Sequence, residues 1–337
     1  MKILGIESSC DECAASVVID GKKIISNVVA SQIEFHKPYS GVVPEIASRK
    51  HVEWIYSVVE KAVTKAEINK NELDGVAVTA RPGLIGSLLV GLSFAKAFSY
   101  SIGKPYVTVD HIRAHLYAPH LEYAIEYPYL GVIVSGGHTI ICLADSFDEY
   151  EILGTTIDDA CGEAFDKIAK YFDWGYPGGP IIDSLAKKGD PRAFSFPKPS
   201  LHKGDHRYDV SYSGLKTAVI NQLDQFWNRK YEKTPENIAA SFQKQAVGML
   251  VDKVKKAAAD KKVKRIVAGG GVAANSEFRK EMSEIPGAEV LFPSIKLCTD
   301  NAAMIAGIGF HYLKNRGHSP LSENAFSRVA GFRKTYP

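Results

Sequence analysis

Two stretches of this 337-residue chain are laid out on one plan, and that plan restricts the fold more than any single motif does. In the first stretch, apolar runs at Ile3–Glu7, Ala14–Ile19 and Lys22–Asn27 read as strands, with Asp20-Gly21 as the hairpin turn before the third. A buried-type strand over Val76–Thr79 then runs through Arg81-Pro82-Gly83 into an apolar helix over Leu84–Tyr100. In the second stretch the strands are Tyr129–Val134, Thr139–Leu143 and Glu149–Leu153, the first two joined by Ser135-Gly136-Gly137-His138. Arg265–Ala268 follows, and it runs through Gly269-Gly270-Gly271 into a helix over Asn275–Met282. This is a duplication of pattern and not of residue identity. It predicts two α/β lobes which, facing each other, form a cleft lined by both sets of turns.

The length suits two lobes better than one core. A net charge of +3 does not announce a nucleic-acid binder, although basic residues gathered on one face would still serve one. The five cysteines are Cys10, Cys13, Cys142, Cys161 and Cys298. They contain a single CxxC pair and no second pair to complete a zinc set, so reduced thiols of a cytosolic protein are expected. The opening MKILGIE reads as a strand, and no apolar run reaches the ~18–20 residues of a membrane helix. A cytoplasmic protein is expected. The polar stretch 190–213, with Pro191, Pro197 and Pro199, reads as a long surface loop.

Residues with chemical potential fall into four groups. Glycine turns at Ser135-Gly136-Gly137, Gly269-Gly270-Gly271 and Pro177-Gly178-Gly179-Pro180 allow close backbone approach to a phosphate, or are simply tight turns. None matches a P-loop or a dinucleotide fingerprint. His111 and His115 stand four apart, so a helix would put both imidazoles on one face, within reach of one metal. They do not form a zinc-protease HExxH motif, because Ile112 stands where the general-base glutamate is needed. A third ligand must come from elsewhere, and Asp300 qualifies; its alternative role is N-cap of the small-residue helix that follows. Two histidines and a carboxylate leave open positions and suit Fe(II) or Zn(II). Asp11 and Glu12 sit in the first turn, while Asp158, Asp159, Glu163 and Asp166 repel one another unless some are paired with Lys167 and Lys170. The basic run 253–265 reads as a solvated helix face, its alternative being a phosphate-contacting patch.

Taken in order, these motifs resemble the TsaD (Gcp) family of tRNA threonylcarbamoyladenosine synthases, of bacterial type. The resemblance spans nearly the whole chain. It runs from Gly5-Ile6-Glu7-Ser8-Ser9-Cys10-Asp11-Glu12 and Gly41-Val42-Val43-Pro44-Glu45, through His111–His115, Ser135–Thr139, Gly162–Lys167 and Pro177–Pro180, to Ser213–Thr217, Gly269–Asn275 and Asp300-Asn301. It implies an actin-like (ASKHA) ATPase fold of two RNase H-like lobes. The first is expected over residues 1–110, completed by 320–337, and the second, with the metal and nucleotide motifs, over 111–319. His111, His115 and Asp300 are then the ligands of one divalent metal, Fe(II) first and Zn(II) second. Ile133, Val134, Ser135, Gly136, Gly137, Asp166, Gly179, Asp183 and Asn275 then surround an adenylate. The reaction implied is transfer of threonylcarbamoyl from threonylcarbamoyl-adenylate to N6 of adenosine 37 in tRNAs reading codons that begin with A. The partners implied are tRNA and TsaB- and TsaE-like proteins, with a TsaC-like enzyme making the donor and no membrane involved. Cys13, Arg81 and Phe278 depart from the family pattern, and none is a ligand.

The chemistry asks an exocyclic amine to attack a carbamoyl carbon whose leaving group is AMP. Asp11 or Glu12 is the candidate base. An actin-fold small-molecule kinase is the rival reading, and it has no use for the histidine pair. A metalloprotease lacks its HExxH glutamate, and a non-enzymatic scaffold would leave the triad idle.

Overall fold

The computed structural model describes residues 1–199, 201 and 205–329. In chain order the elements are β1 (Lys2–Glu7), β2 (Glu12–Ile19), β3 (Lys23–Ser31), α1 (Ile33–His36), α2 (Pro44–Lys65), β4 (Gly75–Arg81), α3 (Ile85–Ser101), β5 (Tyr106–Asp110) and α4 (His111–Tyr117). They continue with β6 (Tyr129–Val134), β7 (Thr139–Ala144), β8 (Tyr150–Thr155), α5 (Cys161–Tyr171), α6 (Gly178–Ala186), α7 (Ser213–Asn221) and α8 (Pro235–Lys261). The last are β9 (Arg265–Gly269), α9 (Ser276–Ser283), β10 (Glu289–Leu291), α10 (Ile295–Cys298) and α11 (Ala302–Arg316).

The duplication of pattern is a duplication of topology. One sheet runs β3-β2-β1-β4-β5 and the other, from its opposite edge, β8-β7-β6-β9-β10. In each, three antiparallel strands are followed by two parallel ones. The central strands carry apolar residues on both faces because both faces are covered: Ile3, Leu4 and Ile6 in β1 and Leu130, Val132 and Ile133 in β6 are fully buried. Asp20 and Gly21 both take positive φ, 51° and 72°, which is the backbone a two-residue hairpin turn demands.

The chain divides into a first unit of residues 1–125 with 293–329 and a second of residues 126–292. This differs from the expected boundary at 110. The reason is α11, which follows β10 yet packs on β1, β2 and β4, and α4, which packs on α11. The histidine pair therefore lies in the first unit, not the second. Small residues make that packing possible. A Cβ on Gly5 would overlap the carbonyl oxygen of Ala302 and lie 2.6 Å from the amide nitrogen of Ala306.

The other face of the first sheet holds a core of Leu4, Val17, Val78, Leu88 and Leu92 with Ile55 and Val59. In the second unit, the described residues of stretch 190–213 (200 and 202–204 lie outside them) are largely irregular as expected, yet they are not merely superficial. Phe194, Phe196 and Tyr212 are buried, and α7 begins at Ser213. Of the departures from the family pattern, Cys13 and Phe278 are core residues, and Arg81 pairs with Glu323 at 3.2 Å. No helix among the described residues is long and apolar enough to cross a membrane.

Gly5→Ala is expected to cost about 1–3 kcal/mol by forcing α11 off the sheet, the usual penalty for overpacking. Chemical denaturation would show it as a lowered midpoint; an unchanged midpoint would mean that the helix moves aside freely.

Candidate metal centre and nucleotide turns

β1 ends in a charged residue that is fully buried, Glu7. A carboxylate there is tolerable only if its oxygens are satisfied. Oε1 accepts the Ser9 amide at 2.6 Å, and Oε2 accepts the Thr79 hydroxyl at 2.7 Å. Oε2 also lies 2.9 Å from Nδ1 of His111, and Ser9 Oγ is 3.2 Å from the same nitrogen. This holds the ring with Nε2 pointing away from Glu7. β5 runs straight into α4, whose N-cap Asp110 accepts the amides of Ile112 and Arg113 at 2.9 and 3.2 Å. The helix then puts His115 on the same face, with the two rings 4.5 Å apart.

Asp300 completes the group. Its Oδ1 is 3.1 Å from Nε2 of His115 and 3.5 Å from Nε2 of His111. The alternative role of Asp300 as helix cap is filled by Asn301, whose Oδ1 accepts the Met304 amide at 3.1 Å. The ligand atoms of all three residues lie within 4.8 Å of one another. A metal at ~2.0–2.2 Å from tetrahedral ligands sets them roughly 3.3–3.6 Å apart, and the two Asp300 spacings of 3.1 and 3.5 Å are close to that. The electrostatics fit too. Burial disfavours charge on His111, but Asp300 and Glu7 outweigh it and raise its pKa to about 9. Burial and the charge of His111 push His115 down. Glu7 is held below its usual range because the His111 interactions overcome burial.

Asp11 and Glu12 also belong to this unit. Burial, then the charges of Asp11 and Asp300, raise Glu12 well above the ordinary carboxylate range, and the two side chains share a hydrogen bond.

The remaining expected residues lie in the second unit, at the end of β6 and in the turn after it, within α5 (Asp166), in α6 (Gly179 and Asp183) and at the N-cap of α9 (Asn275). Ile133 and Val134 close β6, and the Ser135 amide donates to His138 O at 2.8 Å to form the turn. Gly136 and Gly137 are exposed, with open space where a Cβ would project. Gly270, at φ 93°, lies so near the turn that a Cβ would sit 2.5 Å from Val134 O. Asp166 accepts the Gly178 amide at 2.8 Å, fixing the start of α6 beside Gly179. Asp183 accepts the Ser276 amide and hydroxyl at 3.1 and 2.6 Å. Asn275 caps α9 and donates to Gln243 at 2.8 Å.

The other acidic residues have structural partners. Asp158 accepts the amides of Tyr212 and Ser213 at 2.8 and 3.2 Å. Asp159 pairs with Lys167 at 2.6 Å and with Lys216 at 2.5 Å, and Glu163 with Lys167 at 2.9 Å. The basic run is the outer face of α8 and its exit. Val254, Ala257 and Ala258 point inward, while Lys261 pairs with Glu151 and Arg265 with Glu289, each at 2.8 Å.

Comparison with known proteins decides the family. The family model described as TsaD, tRNA N6-adenosine threonylcarbamoyltransferase, matches residues 23–307. The tRNA N6-adenosine threonylcarbamoyltransferase of Treponema denticola is 62% identical over 334 residues, 99% of each chain. The chain belongs to the TsaD family. The Borrelia hermsii member is 52% identical over 335 residues, covering 99% of this chain and 98% of its own. Among solved structures, full-length HypF in a phosphate- and nucleotide-bound form superposes with a TM-score of 0.61 at 15% identity, over 94% of this chain and 47% of that one. The (R)-2-hydroxyglutaryl-CoA dehydratase component A of Acidaminococcus fermentans gives 0.54 at 14%, over 94% and 100%. These likenesses establish the actin-like ASKHA fold of the family member described here.

Glu7, Ser9 and Thr79 are the residues whose part at this centre sequence reasoning missed. The available signal was a carboxylate closing an otherwise apolar strand, which is costly unless something engages it.

His111→Ala or His115→Ala removes one of three candidate ligands, and each is expected to yield protein depleted of metal. Glu7→Gln keeps the shape but weakens the hold on His111, at an expected cost of about 10–100-fold in metal affinity. Elemental analysis and competition with a chelator check both. Full occupancy in the two histidine variants would make the pair structural.

Proposed function

We propose that this protein transfers threonylcarbamoyl from threonylcarbamoyl-adenylate to N6 of adenosine 37 in tRNAs reading codons that begin with A, releasing AMP. The observation that carries the reading is the triad of two buried histidines, His111 and His115, and the part-exposed Asp300, with Glu7 orienting the first histidine, in a member of this family. A small-molecule kinase on the same fold has no need of it. A hydrolytic zinc site of the HExxH kind needs a glutamate where Ile112 stands.

The donor set suits Fe(II), with Zn(II) as the alternative. When bound, the metal supplies Lewis-acid polarisation of the carbamoyl carbonyl or of the departing phosphate. The chain's own residues do the rest. His111, His115 and Asp300 hold the ion, and Glu7 keeps Nε2 of His111 directed at it. The Ser135-Gly136-Gly137 turn presents its backbone to the adenylate where no side chain intervenes. Asp166 fixes the loop at Gly179, while Asp183 and Asn275 order the start of α9 beside it. Ile133 and Val134 set the position of the turn. Of the two carboxylates after β1, burial and the charges of Asp11 and Asp300 push Glu12 up, which disfavours its charged form, and Asp11 is assigned as the group that accepts the N6 proton. TsaB- and TsaE-like proteins act with this chain in the cytoplasm, and a TsaC-like enzyme supplies the donor. The α8 face contributes no phosphate contacts in this reading.

The test is mass analysis of tRNA nucleosides after incubation with threonine, bicarbonate, ATP and the partner proteins. Threonylcarbamoyladenosine is expected, and its absence with active partners would refute the assignment. In the same assay Asp11→Asn is expected to slow transfer by about 10²–10⁴-fold, the range for losing a general base. Glu12→Gln, which resembles the protonated acid, is expected to retain most of the rate. The reverse order would exchange their roles.

A further inference from the structure

The turn after β1 carries Ser9, Asp11 and Glu12, and three consecutive carbonyl oxygens in it are clamped by three different elements. Ser9 O accepts the Leu84 amide at 2.7 Å, at the entrance to α3. Cys10 O lies 3.0 Å from Nε2 of His51, on α2. Asp11 O accepts the Gln32 amide at 3.0 Å, where β3 ends. Two of these clamps are backbone groups. The middle one is a side chain, and it is fully buried.

A carbonyl oxygen only accepts, so Nε2 of His51 carries the ring proton. Burial holds the imidazole below its usual pKa, although the Cys10 carbonyl and the charges of Glu7 and Asp11 oppose this. Nδ1 is buried and has no hydrogen-bond partner. Neighbouring contacts line up with this one. The Val43 amide donates to Nδ1 of His36 at 3.3 Å, and Ala47 O accepts Nε2 of Gln32 at 3.4 Å. Positions 43, 47 and 51 follow one face of α2 and its N-cap, so that face receives the turn and the segment after β3 together.

We propose that His51 is a positioning residue for Asp11 and Glu12. Its N–H fixes the peptide joining Cys10 to Asp11, and so the direction in which the Asp11 carboxylate leaves the backbone. His51 touches none of the triad: Glu7 and the Ser9 side chain meet His111, His115 lies on α4, and Asp300 lies between α10 and α11. The inference rests on the reading of Asp11 and Glu12 given under the proposed function.

Two variants of the full chain test it, His51→Leu, which fills the site without a donor, and His51→Gln, which keeps an N–H. Metal content, thermal midpoint, KM for tRNA and kcat are measured with the partner proteins present. His51→Leu is expected to lower kcat by about 10–100-fold, the cost of misplacing a reacting group by a fraction of an ångström to one ångström. Its metal content and KM should stay within about twofold of wild type, the pattern of an interaction that matters in the transition state alone. His51→Gln should recover most of the lost rate. A leucine variant as fast as wild type would overturn the inference. So would a glutamine variant as slow as the leucine one, or loss of metal or of folding in both, which would make His51 part of the scaffold. Wild-type protein that forms no modified nucleoside would overturn the proposed function and this inference together.

Discussion

The first unit depends on how closely α11 approaches β1. That approach is possible because position 5 has no side chain to stand between the strand and Ala302. Once the helix lies there, Asn301 caps it and Asp300 is left facing two histidines that α4 holds on one side. Glu7, two residues beyond Gly5 on the same strand, then meets the first of those rings from behind. A buried carboxylate is expensive to desolvate, and here three donors offset that cost. The close packing and the polar network specify one another. The strand cannot shift without unpairing Glu7, and the helix cannot shift without withdrawing Asp300.

The same topology presents different groups in the second unit. Polar and glycine residues again gather at the carboxyl ends of the central strands, where open α/β sheets bind ligands. There β6 and β9 end in glycine turns, and the space above Gly136 and Gly137 is clear. In the first unit the corresponding strands end at Glu7, whose carboxylate meets His111, and at Arg81, which pairs with Glu323. One duplicated plan therefore places a cluster of side chains at the strand ends of one lobe and open glycine backbone at those of the other.

Much of this was legible in the sequence. The hairpin strands, the glycine turns and the helices after them were readable from apolar runs and turn residues, because those signals are local. His111 and His115 were legible as a pair because helical spacing is a local rule as well. Asp300 was left with two roles, since a carboxylate before a helix caps it as readily as it binds metal. Only the fold shows that the adjacent Asn301 takes the cap. The lobe boundary was misplaced for a related reason. Nothing near residue 293 announces that the chain returns to the first sheet, because that return is a matter of long-range packing between small residues. Stretch 190–213 was read as surface from its polarity and prolines, yet its aromatic residues Phe194, Phe196 and Tyr212 are core. The clamps on residues 9–11 come from residues 32, 51 and 84, and no sequence period connects those positions.

The central claim is that two imidazoles and one carboxylate, assembled by α4 and the start of α11, form a single metal site. X-ray absorption spectroscopy of the protein loaded with one equivalent of Fe(II) or Zn(II) tests it directly. The account predicts a first shell of nitrogen and oxygen only, at roughly 2.0–2.2 Å, with the outer-shell scattering of two imidazoles and no sulfur. Sulfur in the first shell, or the absence of imidazole scattering, would place the metal elsewhere and contradict it.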